Sequence, residues 1–201
     1  MTTQEKNGIT EGVIWKQLLI FFFPILVGSF FQQLYNTVDS VIVGQFVGKE
    51  ALSSVGGSAG QIISLVVGFF TGVSTGATVI ISQYFGAGKK EEIEESLHTA
   101  YAFALVGGLV LGIAGIVFAP QMLRWMNTPE ELIAESVLYV RVYFSGLIFI
   151  FIYNMGAAIL RAVGDSKRPL YYLIVCCILN IVLDIVLVIV FHMGVAGVSI
   201  A

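Results

Sequence analysis

The feature that most constrains this chain is a series of five apolar stretches, each about 20 residues or longer. A bilayer core of about 30 Å is crossed by about 20 helical residues, and lipid offers no water to unpaired backbone groups. The stretches lack the apolar–polar alternation of a membrane barrel. Charged residues make up only 11% of the chain, against about 25% in soluble domains. The sequence therefore predicts an all-α integral membrane protein.

The predicted fold is a bundle of five long transmembrane helices and the start of a sixth. The five helices cover residues 15–47, 51–85, 93–119, 130–160 and 169–191, and the sixth begins near residue 194. Short polar connections join them. Several stretches exceed the length of a perpendicular span, which predicts tilt or extension beyond the lipid.

Lysine and arginine positions predict the orientation. With a cytoplasmic N-terminus, seven of these residues fall inside and three outside. The inside group is Lys6, Lys16, Lys89, Lys90, Arg161, Lys167 and Arg168, and the outside group is Lys49, Arg124 and Arg141. Because cytoplasmic loops are enriched in these residues, we expect a multi-pass protein of the cell membrane whose N-terminus is cytoplasmic.

Glycines recur at intervals of four in the second apolar stretch. Pairs at this spacing are formed by Gly56, Gly60, Gly68, Gly72 and Gly76. Small residues so spaced allow two helices to approach closely in lipid. We therefore expect this stretch to carry a close helix–helix contact.

Two acids, Asp39 and Asp184, lie inside apolar stretches and away from the helix ends. A carboxylate costs at least about 2.5 kcal/mol at the bilayer centre, so a buried one faces a cavity or a partner. Asn180 lies one helical turn before Asp184, on the same face. We expect the two acids to approach each other in the outer half of the membrane.

Further polar residues accompany these acids. Gln32, Tyr35 and Asn36 share a helix face with Asp39, and Asn154 lies in the apolar fourth stretch. Such groups could serve only as interhelical hydrogen bonds that fix the packing. Two carboxylates are a costly choice for that purpose, because like charges in a dry site resist ionising together. They suit a carrier of protons, or a sodium site if both are ionised.

Pro24 lies inside the first apolar stretch. A proline there removes one backbone hydrogen bond and kinks the helix. The residue predicts either a static kink or a hinge.

Other classes of function find little support in the residues. No basic tract indicates nucleic-acid binding, and the two histidines show no spacing that would form a metal or catalytic cluster. The sequence Gly56–Gly60 matches a nucleophile elbow, but no strand precedes it. We therefore predict neither an enzyme nor a cofactor.

Several separate motifs resemble those of the multidrug and toxic compound extrusion (MATE) family. They are residues 34–40 (LYNTVDS) after the membrane proline, residues 82–88 (SQYFGAG), residues 160–165 (LRAVGD), Asn180 with Asp184, and residues 194–197 (GVAG). The likeness extends over nearly the whole chain and is similar to the prokaryotic branch, whose N-terminal lobe carries the coupling acids.

The resemblance implies an antiporter that exports amphipathic, often cationic compounds in exchange for protons or sodium. Asp39, Asn180 and Asp184 would form the cation-coupling group, which would also be the site of any sodium ion. Gln32, Tyr35, Asn36 and Asn154 would line the substrate cavity, and Pro24 would mark the bending first helix.

The resemblance also implies twelve helices in two lobes, of which residues 1–201 hold only the N-terminal one. The absent C-terminal lobe, or a second copy, would be a required partner, since alternating access needs two halves. Two alternatives stay open: a flippase for lipid-linked oligosaccharides from the same superfamily, and a truncated membrane fragment that does not transport. The acidic character of the mid-membrane groups favours cationic compounds over a pyrophosphate.

Overall fold

The fold is known from a computed structural model, which describes residues 13–201. In this part of the chain the backbone is helical almost throughout and contains no strand. The helices are α1 (Ile14–Ile42), α2 (Lys49–Ser54), α3 (Gly60–Gly86), α4 (Lys90–Trp125), α5 (Glu130–Ser145), α6 (Leu147–Ala162), α7 (Lys167–Asp184) and α8 (Val195–Ile200). The predicted all-α membrane bundle is confirmed.

Four helical segments are long and apolar enough to cross a membrane, and α5 with α6 makes a fifth if the bent pair counts as one span. The outer surface is apolar, with Leu65 74% and Phe149 72% exposed. An apolar surface of this extent indicates contact with lipid or with another protein surface.

The predicted fourth helix, residues 130–160, is wrong as a continuous element. The chain breaks at Gly146, and α5 and α6 meet at 50°. Glycine has a low helix propensity, and the Gly146 N–H bonds to the Tyr143 carbonyl three residues back, which tightens the turn. Leu147 and Phe144 beside the break are almost fully buried, so packing holds the bend in place.

Two further boundaries differ from the prediction. The second stretch is interrupted before α3 by a π-helical segment, Val55–Ala59, in which Gly57 leaves helical geometry. Helix α4 runs through Pro120 to Trp125 instead of ending at residue 119. Ala119 and Leu123 are fully buried, and their packing stabilises the last turns despite the hydrogen bond that proline removes.

The close helix contact involves α4 and not the glycines of the second stretch. A Cβ atom built on Gly68, Gly72 or Gly76 would meet nothing within 4 Å, so these glycines face open space in this lobe. On α4, a Cβ atom at Gly108 would lie 2.9 Å from the Ile148 Cα atom of α6. Gly115 likewise packs directly against the Phe144 ring. The predicted contact at the second stretch is therefore wrong for this lobe.

The helices form two apolar clusters. The larger lies between α3, α4, α5 and α6, where the rings of Phe70 and Phe151 stack with centroids 3.4 Å apart. The smaller joins the ends of α1 and α7 to α2 and α8, and it includes Ile42 and Val188. Helix α1 packs along α7, which brings the first and last long spans side by side and positions the acids.

Candidate functional site

Helices α1 and α7 approach each other closely at Gly28. A Cβ atom there would lie 3.4 Å from the Leu173 side chain, which is an ordinary van der Waals distance. One turn further along, the Cys177 thiol donates to the Phe31 carbonyl at 3.8 Å between sulfur and oxygen. These contacts set the register that places Asp39 opposite Asp184.

Asp184 is the centre of the site. It ends α7 and is completely buried, and neither of its carboxyl oxygens has a hydrogen-bond partner in the described part of the chain. The side-chain oxygens Oδ1 of Asp39 and Oδ1 of Asn180 are also buried without a partner. Four unpaired acceptor oxygens thus belong to three neighbouring residues, which is a costly arrangement in a low-dielectric interior.

The Asp39 and Asp184 carboxyl groups lie within hydrogen-bonding reach of each other. Two ionised carboxylates are acceptors only, so a hydrogen bond between them would require a proton on one of them. Without a proton, two negative charges would face each other in a buried site. A shared proton or a bound cation would relieve this repulsion.

Oxygen ligands from two carboxylates and one amide are a donor set that a hard cation such as sodium accepts. Residues 13–201 contain no cluster of three or more His, Cys, Asp and Glu side chains that would indicate a transition metal.

The backbone changes character just beyond each acid. A π-helical segment, Val43–Val47, begins four residues after Asp39, and another, Ile185–Val190, begins directly after Asp184. The Val43 N–H bonds to the Asp39 carbonyl. Such segments occur frequently at functional sites, so the backbone adds a second signal to that of the buried acids.

The other predicted residues of α1 lie beside the acids with differing exposure. Tyr35 is partly buried, and its hydroxyl is within hydrogen-bonding reach of the Gln32 side chain and close to Asp39. Gln32 and Asn36 are exposed. The four polar residues therefore share one side of α1, as their spacing predicts, but only Tyr35 and Asp39 turn into the α1–α7 interface.

Asn154 is placed elsewhere. It lines a cavity of about 390 Å³ between α1, α3 and α6, and the lining does not include Gln32, Tyr35 or Asn36. Its side-chain nitrogen donates to the Ile150 carbonyl at 2.9 Å. The structure thus divides the predicted cavity residues between the α1 face and this separate cavity.

Tyr139 is a site residue that the sequence analysis missed. It lies on α5, is partly buried, packs against both apolar clusters and is close to Asp39 and Asp184. Its phenol group can donate a hydrogen bond, a property that the acids lack when ionised. No periodic pattern marked Tyr139, and only the folded structure, which brings this residue of α5 close to the two acids, reveals it.

Pro24 is buried inside α1, which remains one helix from Ile14 to Ile42. The described structure holds one conformation of this helix. The hinge stays a prediction.

Fold and site together define a polytopic α-helical membrane protein whose packed spans hold a pair of acids with buried, unpaired oxygens. The profile of the MatE family matches residues 24–186. The chain belongs to this family, which confirms the resemblance drawn from the motifs.

Relatives and solved structures agree. The chain is 35% identical over 191 residues to the probable multidrug resistance protein YpnP of Bacillus subtilis, and the match covers 94% of this chain and 42% of YpnP. It is 32% identical over 188 residues to the probable multidrug resistance protein YoeA of the same organism, and that match covers 94% of this chain and 40% of YoeA. An outward-facing multidrug resistance MATE family transporter matches with a TM-score of 0.91 and 26% identity, over 99% of this chain and 44% of that one. The chain thus spans about two-fifths of the length of these relatives.

Proposed function

We propose that this chain is the N-terminal lobe of a secondary antiporter that exports amphipathic, often cationic compounds across the cell membrane in exchange for protons or sodium. The observation that carries the proposal is the buried Asp39–Asp184 pair, whose oxygens lack partners. A carrier needs a site that is stable only with an ion bound, so that ion release can be linked to substrate binding. A contact that serves only to pack two helices would be more stable without buried, unpaired carboxylate oxygens.

In this proposal Asp39, Asn180 and Asp184 bind the coupling ion, and Tyr139 donates to whichever acid is ionised. Gln32, Tyr35 and Asn36 face the substrate on the exposed side of α1. Pro24 lets α1 bend when the ion binds. Solved MATE structures in a straight and a bent conformation match this chain with TM-scores of 0.90 and 0.89, and they support a family in which more than one shape is accessible.

A flippase for lipid-linked oligosaccharides is not favoured. Such a carrier would hold a pyrophosphate, whereas the central ionisable groups here are acids. Relatives that carry drug-resistance names, YoeA and YpnP, match across 94% of the chain.

The experiment that tests the proposed function is transport by the complete two-lobed carrier in proteoliposomes. We expect the cationic dye ethidium to move against its gradient only while a proton or sodium gradient is imposed, because the acids couple the two fluxes. Collapse of the gradient with an ionophore is the control. Dye movement that needs ATP, or that ignores both gradients, would contradict antiport.

The proposed orientation places the N-terminus in the cytoplasm. The seven-to-three distribution of lysine and arginine supports it, and Lys89 and Lys167 both lie at turns on the same predicted side. With Cys176 and Cys177 replaced by alanine, a cysteine at Lys89 should react with a membrane-impermeant maleimide only after the cells are opened. Labelling at Lys89 in intact cells would reverse the orientation.

A further inference from the structure

The cavity between α1, α3 and α6 is separate from the acid pair and has an unusual lining. One wall is a row of hydroxyl residues on a single face of α3, namely Thr71, Ser74, Thr75, Thr78 and Ser82. The opposite wall is α6, with Asn154, Ala158 and Arg161, and Phe21 of α1 closes one side. A volume of about 390 Å³ falls in the range of small-molecule sites, about 300–1,000 Å³.

Most hydroxyl groups on this face of α3 already donate a hydrogen bond within the helix. Thr71, Thr75, Thr78 and Ser82 each donate to a backbone carbonyl three or four residues back in α3, at 2.8–2.9 Å. The exception is Ser74, whose hydroxyl forms no hydrogen bond within residues 13–201 and lines the cavity. Its oxygen is therefore available to a polar group that enters the cavity.

Arg161 is the only charged residue in the lining. It lies in the last turn of α6 and is partly buried, and its guanidinium forms neither an ion pair nor a hydrogen bond within the described residues. The nearby loop acid is already occupied, because Asp165 pairs with Arg168 at 3.1 Å. By contrast, the Arg141 side chain donates to the Ile116 carbonyl. A planar guanidinium is matched to carboxylate and phosphate oxygens.

The cavity has a polar order along its length. The chain reverses direction after α3 and again after α4, so α3 and α6 run parallel. The Thr78 hydroxyl donates to the Ala158 carbonyl at 3.3 Å. Ser74 and Asn154, each four residues earlier, are therefore level with one another. Arg161 lies seven residues beyond Asn154, or about 10 Å further along the helix axis. A free hydroxyl and an amide thus mark one end of the cavity, and an unpaired cation marks the other.

We infer that this cavity binds an amphipathic ligand by an anionic group, a carboxylate or a phosphate, that pairs with Arg161. Phe21 and Ala158 contact the apolar body of the ligand, and its far end reaches the Ser74 hydroxyl and the Asn154 amide. This inference deepens the proposed function and rests on it, since the ligand is taken to be a carried compound. The substrate range then includes compounds that carry an anionic group.

The test uses rhodamine B and its ethyl ester, which share one fluorophore and one cationic charge but differ in a free carboxylate. Fluorescence anisotropy measures the affinity of both dyes for the purified complete carrier in an uncharged detergent. We expect Arg161→Gln to weaken rhodamine B binding at least about tenfold, the effect of losing a charge-assisted hydrogen bond. Ester binding should change by less than about twofold. Arg124→Gln, which removes an exposed arginine at the end of α4, is the matched control and should change neither affinity.

Two further variants keep the result interpretable. Arg161→Lys retains the charge and should restore most of the preference for the free carboxylate. Thr75→Phe fills the cavity from its exposed rim and should weaken both dyes even if Arg161→Gln fails to fold. Equal loss of both dyes in Arg161→Gln, or no effect of Thr75→Phe on either, would overturn the inference.

A lipid phosphate has the same chemistry as a carried anion, and competition separates the two. Short-chain phosphatidylglycerol that displaces rhodamine B only while Arg161 is present would identify a lipid as the source of the anionic group. Failure of displacement would leave the carried compound as the occupant. The dye affinities do not depend on ion coupling. Gradient-driven export without an Arg161-dependent preference for rhodamine B over its ester would therefore refute this inference alone. That preference without gradient-driven export would refute the proposed function alone.

Discussion

Asp184→Asn in the complete carrier is expected to reduce export of cationic dyes at least about tenfold while expression and membrane insertion stay at the parental level. Asparagine keeps the shape of the side chain but removes the negative charge that must be exchanged between an ion and the substrate. Asp39→Asn should have the same effect, since the proposed function assigns both carboxyls to the same coupling ion. The effect is read as the rate of ethidium efflux from preloaded cells.

Asp165→Asn is the matched control. Asp165 lies in the loop before α7, where its side chain accepts hydrogen bonds from the backbone N–H groups of Lys167 and Arg168 at 3.1 Å. Asparagine also accepts such hydrogen bonds at a helix N-terminus, so export should remain within about twofold of the parent. Parental export by Asp39→Asn or by Asp184→Asn would show that the acid concerned serves packing only.

Residues 1–201 expressed alone are expected to insert into the membrane and to confer no drug resistance. The glycine face of α3 meets open space in this lobe, and both the polar side of α1 and the rim of the Arg161 cavity are exposed. In the proposed function these surfaces form one wall of a carrier, and alternating access requires two halves that move against each other. The minimal inhibitory concentration of ethidium, compared with an empty vector and with the two-lobed carrier, measures the outcome. Resistance from the lobe alone would point to a functional pair of identical lobes.

Much of the fold could be predicted from the sequence because lipid allows few alternatives. Long apolar stretches without alternation leave only helices, and the predicted stretches 15–47 and 169–191 match α1 and α7 only when the π-helical segments that follow these helices are included. The bend at Gly146 could not be predicted in this way. Glycines are common throughout these helices, and the burial of Phe144 and Leu147 beside Gly146 cannot be read from the sequence.

The two glycine patterns show the same limit. Gly68, Gly72 and Gly76 have the spacing that predicts a close contact, but their face is open in this lobe, whereas Gly108 and Gly115 carry the contact. Spacing identifies a smooth helix face. It does not identify the partner of that face, which depends on how the other helices are arranged.

The site was predictable where chemistry alone was informative. An acid in an apolar stretch is costly enough to stand out, so Asp39 and Asp184 could be paired from the sequence alone. Tyr139 could not be found, because a tyrosine on a membrane helix has many ordinary explanations. Asn154 was correctly singled out as polar but was grouped with α1, since the sequence carries no information on which cavity it lines.

The most direct test of the coupling site is the affinity of the purified complete carrier for tetraphenylphosphonium, a permanent cation, as the pH and the sodium concentration are varied. If Asp39 and Asp184 bind the coupling ion, an added proton or sodium ion neutralises the negative charge that a cationic substrate requires. The affinity of the parent for tetraphenylphosphonium should therefore fall as protons or sodium ions are added. That dependence should disappear in Asp184→Asn and persist in Asp165→Asn. An affinity in the parent that ignores both ions, or a dependence that survives in Asp184→Asn, would contradict the assignment of this pair as the coupling site.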